Sequence, residues 1–354
     1  MRALIAILIA ALATAAAVDG PMPKASAAEA PPAAADTRTP EQKLLDLVGF
    51  LRRDGKFAEA QDLAERGLAI AEKNHGSESR QAAPWLTQLG LTLQARGRYR
   101  EAEPHLRRAL AIREKTDGPD APQTGEALAD LGALLMDQGR LTDAEAMIRR
   151  ALAIAEKTRG PDHPGTAQSL TALGLLYIAQ GRFADAEPLL KRALAIDEKA
   201  NGPNHPDTAA SLSNLAELYR LLGRFAEAEP LYKRAIAIDE KNEGPVHPSV
   251  ASDISNLALL YQNQQRYAEA ETLYRRAIDI REKTLGDHPD TATSLANFAT
   301  MLVELGRLSE AEPLAKRALA ITEKVLGPAH PDTAQSLNNL AGLYRTQGRA
   351  AEAR

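Results

Sequence analysis

The chain has no cysteine. No disulfide can hold it and no lipid can be attached through an N-terminal cysteine, so whatever it folds into rests on packing alone. Aromatic residues are scarce, at 4%, and the formal net charge is only −4, with no local cluster of basic and aromatic side chains. That balance gives no electrostatic case for nucleic acid as a partner. Also missing are a strained nucleophile elbow, a glycine-rich phosphate loop and an H-E-x-x-H metal pair, so the common hydrolase, nucleotide-binding and zinc-enzyme signatures do not apply. No cofactor is implied and no catalytic residue stands out.

Long apolar runs are lacking too, with one exception at the start. Arg2 is followed by Ala3 to Val18, then Asp19-Gly20-Pro21 and small residues ending in Ala25-Ser26-Ala27-Ala28. Residues 1–28 therefore read as a secretory signal peptide cleaved after Ala27 or Ala28, with a weaker site after Ala17. The run is short for a membrane span of about 20 residues. Export to the periplasm or medium, without stable membrane insertion after cleavage, is the expectation. Residues 29–40, with Pro31, Pro32 and Pro40 among many alanines, cannot bury enough apolar surface to order themselves and form a leader.

What is abundant is repetition, from residue 41 to residue 354. Gly55, Gly97, Gly139, Gly181, Gly223, Gln265, Gly306 and Gly348 recur at spacings of 42 residues, with a single 41 between Gln265 and Gly306. The short interval has a visible source, because the linker at Gly286 reads GDHP where others read GPDHP, GPNHP, GPVHP and GPAHP. A strict period of this length marks a solenoid, whose units bury their apolar faces against their neighbours. Within residues 202–241, Leu212, Leu215, Ala216, Leu218 and Tyr219 follow helical spacing, and so do Phe225, Ala228, Leu231, Tyr232, Ala235 and Ile238. Two amphipathic helices are thus predicted per unit, separated by Gly223, with Gly202, Pro203 and Pro206 stopping one repeat and opening the next. Small residues recur where the helices must approach closely. Ala228 aligns with Ala60, Ala102, Ala144, Ala186, Ala270 and Ala311, and Ala216 with Gly174, Ala258, Ala299 and Ala341.

The pattern L-A-x-L-Y-x-x-x-G-R-F-x-E-A from Leu215 to Ala228 resembles the tetratricopeptide repeat. The longer unit, opening H-P-D-T-A and trailing E-K-x-x-G, is similar to the kinesin light chain type of that repeat. The resemblance implies an all-α, right-handed superhelix of about seven full helix-turn-helix repeats with a truncated eighth, working as a protein-interaction scaffold rather than an enzyme. Arrays of this type are also fused to catalytic or signalling domains such as caspase-like peptidases. The second expectation is therefore a sensor array for an enzyme carried on a longer chain or separate protein.

Several recurrent polar residues invite chemical readings. His163, His205, His247, His288 and His330 recur in the linkers, but equivalent atoms of adjacent repeats stand about a helix diameter, ~10 Å, apart. A shared metal needs all its donors within about 2.1 Å, so the histidines are expected to close turns. Glu187 with Lys191, Glu229 with Lys233, Glu271 with Arg275 and Glu312 with Lys316 form i,i+4 pairs and are expected to mark a solvated face. Tyr177, Tyr219, Tyr261 and Tyr344 have the period of the buried face and are expected in the core.

One ladder exceeds structural need. Asn214, Asn256, Asn297 and Asn339 align in the first helices, although asparagine is mediocre in a helix interior. By resemblance they line the concave groove and bond the backbone of an extended peptide or protein partner. The competing reading is that each bonds a neighbouring helix. Glu217, Arg220, Gln262, Asn263, Glu304, Arg345 and Thr346 lie one turn on, a lining of mixed sign in which Arg220 and Arg345 would supply side-chain specificity.

Overall fold

The structure, a computed structural model, describes residues 38–349 and 351–353. The proposed signal peptide and nearly all of the leader lie outside the described residues. The described chain forms fifteen helices and no strand. In order they are α1 Pro40–Arg53, α2 Phe57–His75, α3 Ala82–Ala95, α4 Tyr99–Thr116, α5 Pro122–Asp137, α6 Leu141–Thr158, α7 Pro164–Ala179 and α8 Phe183–Ala200. They continue as α9 Pro206–Leu221, α10 Phe225–Glu243, α11 Pro248–Asn263, α12 Tyr267–Thr284, α13 Pro289–Glu304, α14 Leu308–Val325 and α15 Pro331–Thr346. Seven antiparallel pairs and an additional first helix match the expected repeats.

Each boundary follows from local chemistry. His163, His205, His247, His288 and His330 all occupy the N-cap, where the ring accepts from the backbone N–H two residues on and proline fills the first helical position. The turn-closing role expected of them is this cap. The first helices end in a left-handed residue, such as Gly223 at φ 72°, so that the N–H groups of Gly223 and Arg224 can return to the Arg220 and Tyr219 carbonyls. Gln265 adopts the same conformation at φ 61°, the one non-glycine with positive φ among the described residues.

Packing explains the small residues. Ala60, Ala102, Ala144, Ala186, Ala228, Ala270 and Ala311 are completely buried. A side chain at Gly174 would place its Cβ 2.8 Å from Leu190. In the first repeat Gly67 stands where later repeats have alanine, because the Trp85 ring occupies that space and would lie 2.2 Å from a Cβ.

The glutamates expected on a solvated face sit elsewhere. Glu187, Glu229, Glu271 and Glu312 do bond their i+4 cations. Each also takes an arginine from the next repeat, Arg224, Arg266, Arg307 or Arg349, at 2.6–2.8 Å. That second contact covers the carboxylates, leaving only about a fifth of each exposed, 19–23%. The arginines lie over the buried Tyr219, Tyr261 and Tyr344 rings at 3.8–4.4 Å wherever such a ring is present. The tyrosine hydroxyls of Tyr219 and Tyr261 in turn donate to Glu187 and Glu229. The L-Y-x-x-x-G-R signature is therefore one interlocking unit between repeats.

Candidate partner-binding groove

Successive first helices, from α1 to α15 by odd numbers, approach one another backbone to backbone along the whole array, whereas successive second helices stand further apart and are bridged by side-chain ion pairs such as Arg192 with Glu156 and Arg234 with Glu198. The first helices consequently occupy the inner side of the curve. On α9 the residues facing inward are Asp207, Ala210, Asn214, Glu217 and Leu221, which are half-buried at helical spacing while their neighbours are buried.

Asn214, Asn256, Asn297 and Asn339 all fall at the middle of this inner stripe, half-buried, on α9, α11, α13 and α15. Asn339 accepts from Gln335 Nε2 at 2.8 Å within its own helix. The amides of Asn214, Asn256 and Asn297 have no partner among the described residues. Bonding to the neighbouring helix therefore does not account for them.

The two arginines differ. Arg345 is exposed, and its Nε reaches only the Ala341 carbonyl, at 3.3 Å. Arg220 lies beneath the surface, 7% exposed, and forks onto Glu217 at 2.7 and 2.6 Å. Burial opposes the Arg220 charge, but Glu217 outweighs it and keeps the guanidinium protonated. Glu217 accepts as well from Tyr232 at 2.9 Å. In the amide orientation that satisfies both ends, Asn263 accepts from Arg220 at 3.2 Å.

Further lateral bonds join first helix to first helix under the stripe. Ser213 donates to Asp253 at 2.6 Å, Gln262 to Glu304 at 2.9 Å and Gln94 to Asp137 at 2.6 Å. Burial pushes Asp253 up to about 8, helped by Asp239 and opposed by Ser213. Burial likewise pushes Asp130 up to about 7 against the pull of Arg52. No group of three or more acidic, histidine or cysteine side chains could hold a metal among the described residues. Sequence reasoning missed this polar seam. The serine and acid positions change from repeat to repeat, so no period announced it.

Between α13 and α15 the groove deepens into a pocket walled by Ala299, Val303 and Leu343, with Thr300, Asn338 and Asn339 at its polar edge. An apolar recess beside amides of this kind suits the side chain of a segment whose backbone is held alongside.

The tetratricopeptide repeat model matches residues 41–115, 81–135, 123–199, 179–241, 250–324 and 301–354. The chain belongs to the tetratricopeptide repeat family. Among solved structures this array is similar to BtubC (BKLC) from P. vanneervenii, at 21% identity over 71% of this chain and 95% of that one, with a TM-score of 0.52. It is also similar to a kinesin light chain with nearly identical repeats from Podosopora anserina, at 29% identity over 57% of this chain and 96% of that one, TM-score 0.48. A third similar structure is a Rap protein complexed with competence and sporulation factor, at 14% identity over 89% of this chain and 99% of that one, TM-score 0.55. No curated protein sequence matches the chain. No helix among the described residues of the tetratricopeptide array is long and apolar enough to cross a membrane.

Proposed function

We propose that this tetratricopeptide array is an exported, non-enzymatic scaffold that holds an extended segment of a protein partner along its inner face. The observation carrying the proposal is the unpaired state of the Asn214, Asn256 and Asn297 amides on one continuous half-buried stripe. An amide carries both a donor and an acceptor, so it can pair both groups of a peptide unit. Each such bond contributes about 0.5–1.5 kcal/mol, a grip with little sequence discrimination. Specificity then falls to Arg345, to the pocket beside Asn339, and to Glu217 as held in place by Arg220. The Rap protein in complex with its factor lends support from a similar fold.

The test is capture from the exported fraction of the native host with the mature array as bait. Wild type should retain a partner that Asn214→Ala/Asn256→Ala/Asn297→Ala does not, at unchanged helical content. Equal retention by both would remove the ladder from the binding surface. Export itself is tested by N-terminal sequencing of the protein from its host, which should begin near Ala28 or Glu29; an intact Met1 in the cytosol would contradict it.

A further inference from the structure

The five linker histidines perform one capping task yet sit in two environments. The rings of His205 and His247 are 43% and 40% exposed, and His163 is exposed as well. Those of His288 and His330 are only 12% and 6% exposed. What covers them comes from the opposite end of the sequence. His288 Nε2 lies 3.1 Å from the Arg53 carbonyl at the end of α1, and the His330 ring faces the Ala95 carbonyl at the end of α3.

The tautomer is fixed by the cap. Because Nδ1 of each ring accepts from the backbone N–H of Asp290 or Asp332, the proton sits on Nε2 and is donated to that distant carbonyl. The contact also joins the positive N-terminal ends of α13 and α15 to the negative C-terminal ends of α1 and α3. Close approach is possible because the receiving turns carry glycine. A Cβ on Gly97 would lie 2.7 Å from His330 and Pro331, and one on Gly55 would lie 3.0 Å from His288.

The first repeat thus meets the seventh and the second meets the eighth, so the superhelix returns upon itself after six repeats. We infer that His288 and His330 latch the array into a closed ring, so that the asparagine ladder is reached through the ring's mouths by an extended chain and not from the side by a folded domain. Six first helices spaced by about 10 Å give a wall roughly 60 Å around and about 20 Å across between helix axes. A folded domain of about 100 residues has a radius of gyration of roughly 13 Å and does not fit, whereas an extended chain does. The inference rests on the inner face being the binding face, but its test needs no partner.

Absence of native cysteine makes single thiols clean reporters. Asn256→Cys places one on the inner stripe, and Val246→Cys places one on the 53% exposed linker rim. Each is labelled with a small maleimide and with a maleimide carried on a short tether by a folded protein. The carrier-to-small rate ratio at residue 256 should be at least tenfold below that at residue 246. Adding His288→Asn/His330→Asn, which keeps an N-cap acceptor but cannot span to the carbonyls, should raise the ratio at least fivefold. His205→Asn/His247→Asn, which alters only exposed caps, should leave it unchanged. Equal ratios at residues 256 and 246 with the latch intact, or no response to the latch substitutions, would overturn the closed ring while leaving the ladder to its own test.

Discussion

The guanidinium of Arg224 lies 4.1 Å from the centre of the Tyr219 ring and reaches Glu187 of the preceding repeat at 2.8 Å. Three residues from two repeats thereby share one buried-edge contact, and the same unit recurs along the array. Its energetic weight is testable through protons.

Lys191 and Arg224 hold Glu187 down to about 2, Arg307 and Arg275 do the same for Glu271, and Lys316 and Gln347 lead for Glu312. An unfolded glutamate titrates near 4.3. Stability from these groups is therefore present above about 4.3 and lost as pH falls through 2. Asp253, raised by burial to about 8, runs the other way: its contribution is fully present below about 3.9 and lost as pH rises through 8. The melting temperature should peak near pH 4–5 and decline on both sides. Asp253→Asn should flatten the alkaline side, as measured by thermal denaturation at pH 5 and pH 8, and an unaltered difference between those two values would show Asp253 to be ionised in the fold.

At Gln265, φ is 61° where the other repeats use glycine. A side chain in the left-handed region costs roughly 1–2 kcal/mol. Gln265→Gly should raise the urea midpoint accordingly, and a lowered midpoint would mean that the Gln265 side chain supplies a compensating contact.

Two helical glycines should respond in opposite directions to alanine. Gly67→Ala forces a methyl group into the Trp85 ring and should destabilise by about 1–3 kcal/mol. Gly342 has no atom within 4 Å of a would-be Cβ, so Gly342→Ala should be neutral or stabilise by up to about 1 kcal/mol. Denaturant titration of both variants settles whether the first repeat departs from consensus for Trp85.

The helix pairs, the glycine turns and the buried tyrosines were legible in the sequence because each repeats with the period of its own environment. Asn214, Asn256 and Asn297 were legible as anomalies, since nothing within a helix requires them. Features that depend on contacts between repeats were not. Arg220 pairs with Glu217 at a visible i,i+3 spacing, but its burial depends on the Asn263 and Tyr232 side chains that close over it from other helices. The meeting of His288 with Arg53 spans 235 residues and arises from the rotation accumulated over six repeats, which no single residue encodes.

In the proposed function, unpaired amides on the inner stripe hold a partner's backbone. Once a partner segment is in hand, isothermal titration calorimetry on Asn214→Ala/Asn256→Ala tests it most directly, with circular dichroism confirming unchanged helical content. Loss of two backbone pairings at about 0.5–1.5 kcal/mol each corresponds to affinity weakened by about 5- to 150-fold. Unchanged affinity in a fully helical double variant would contradict the claim and assign the ladder to structure.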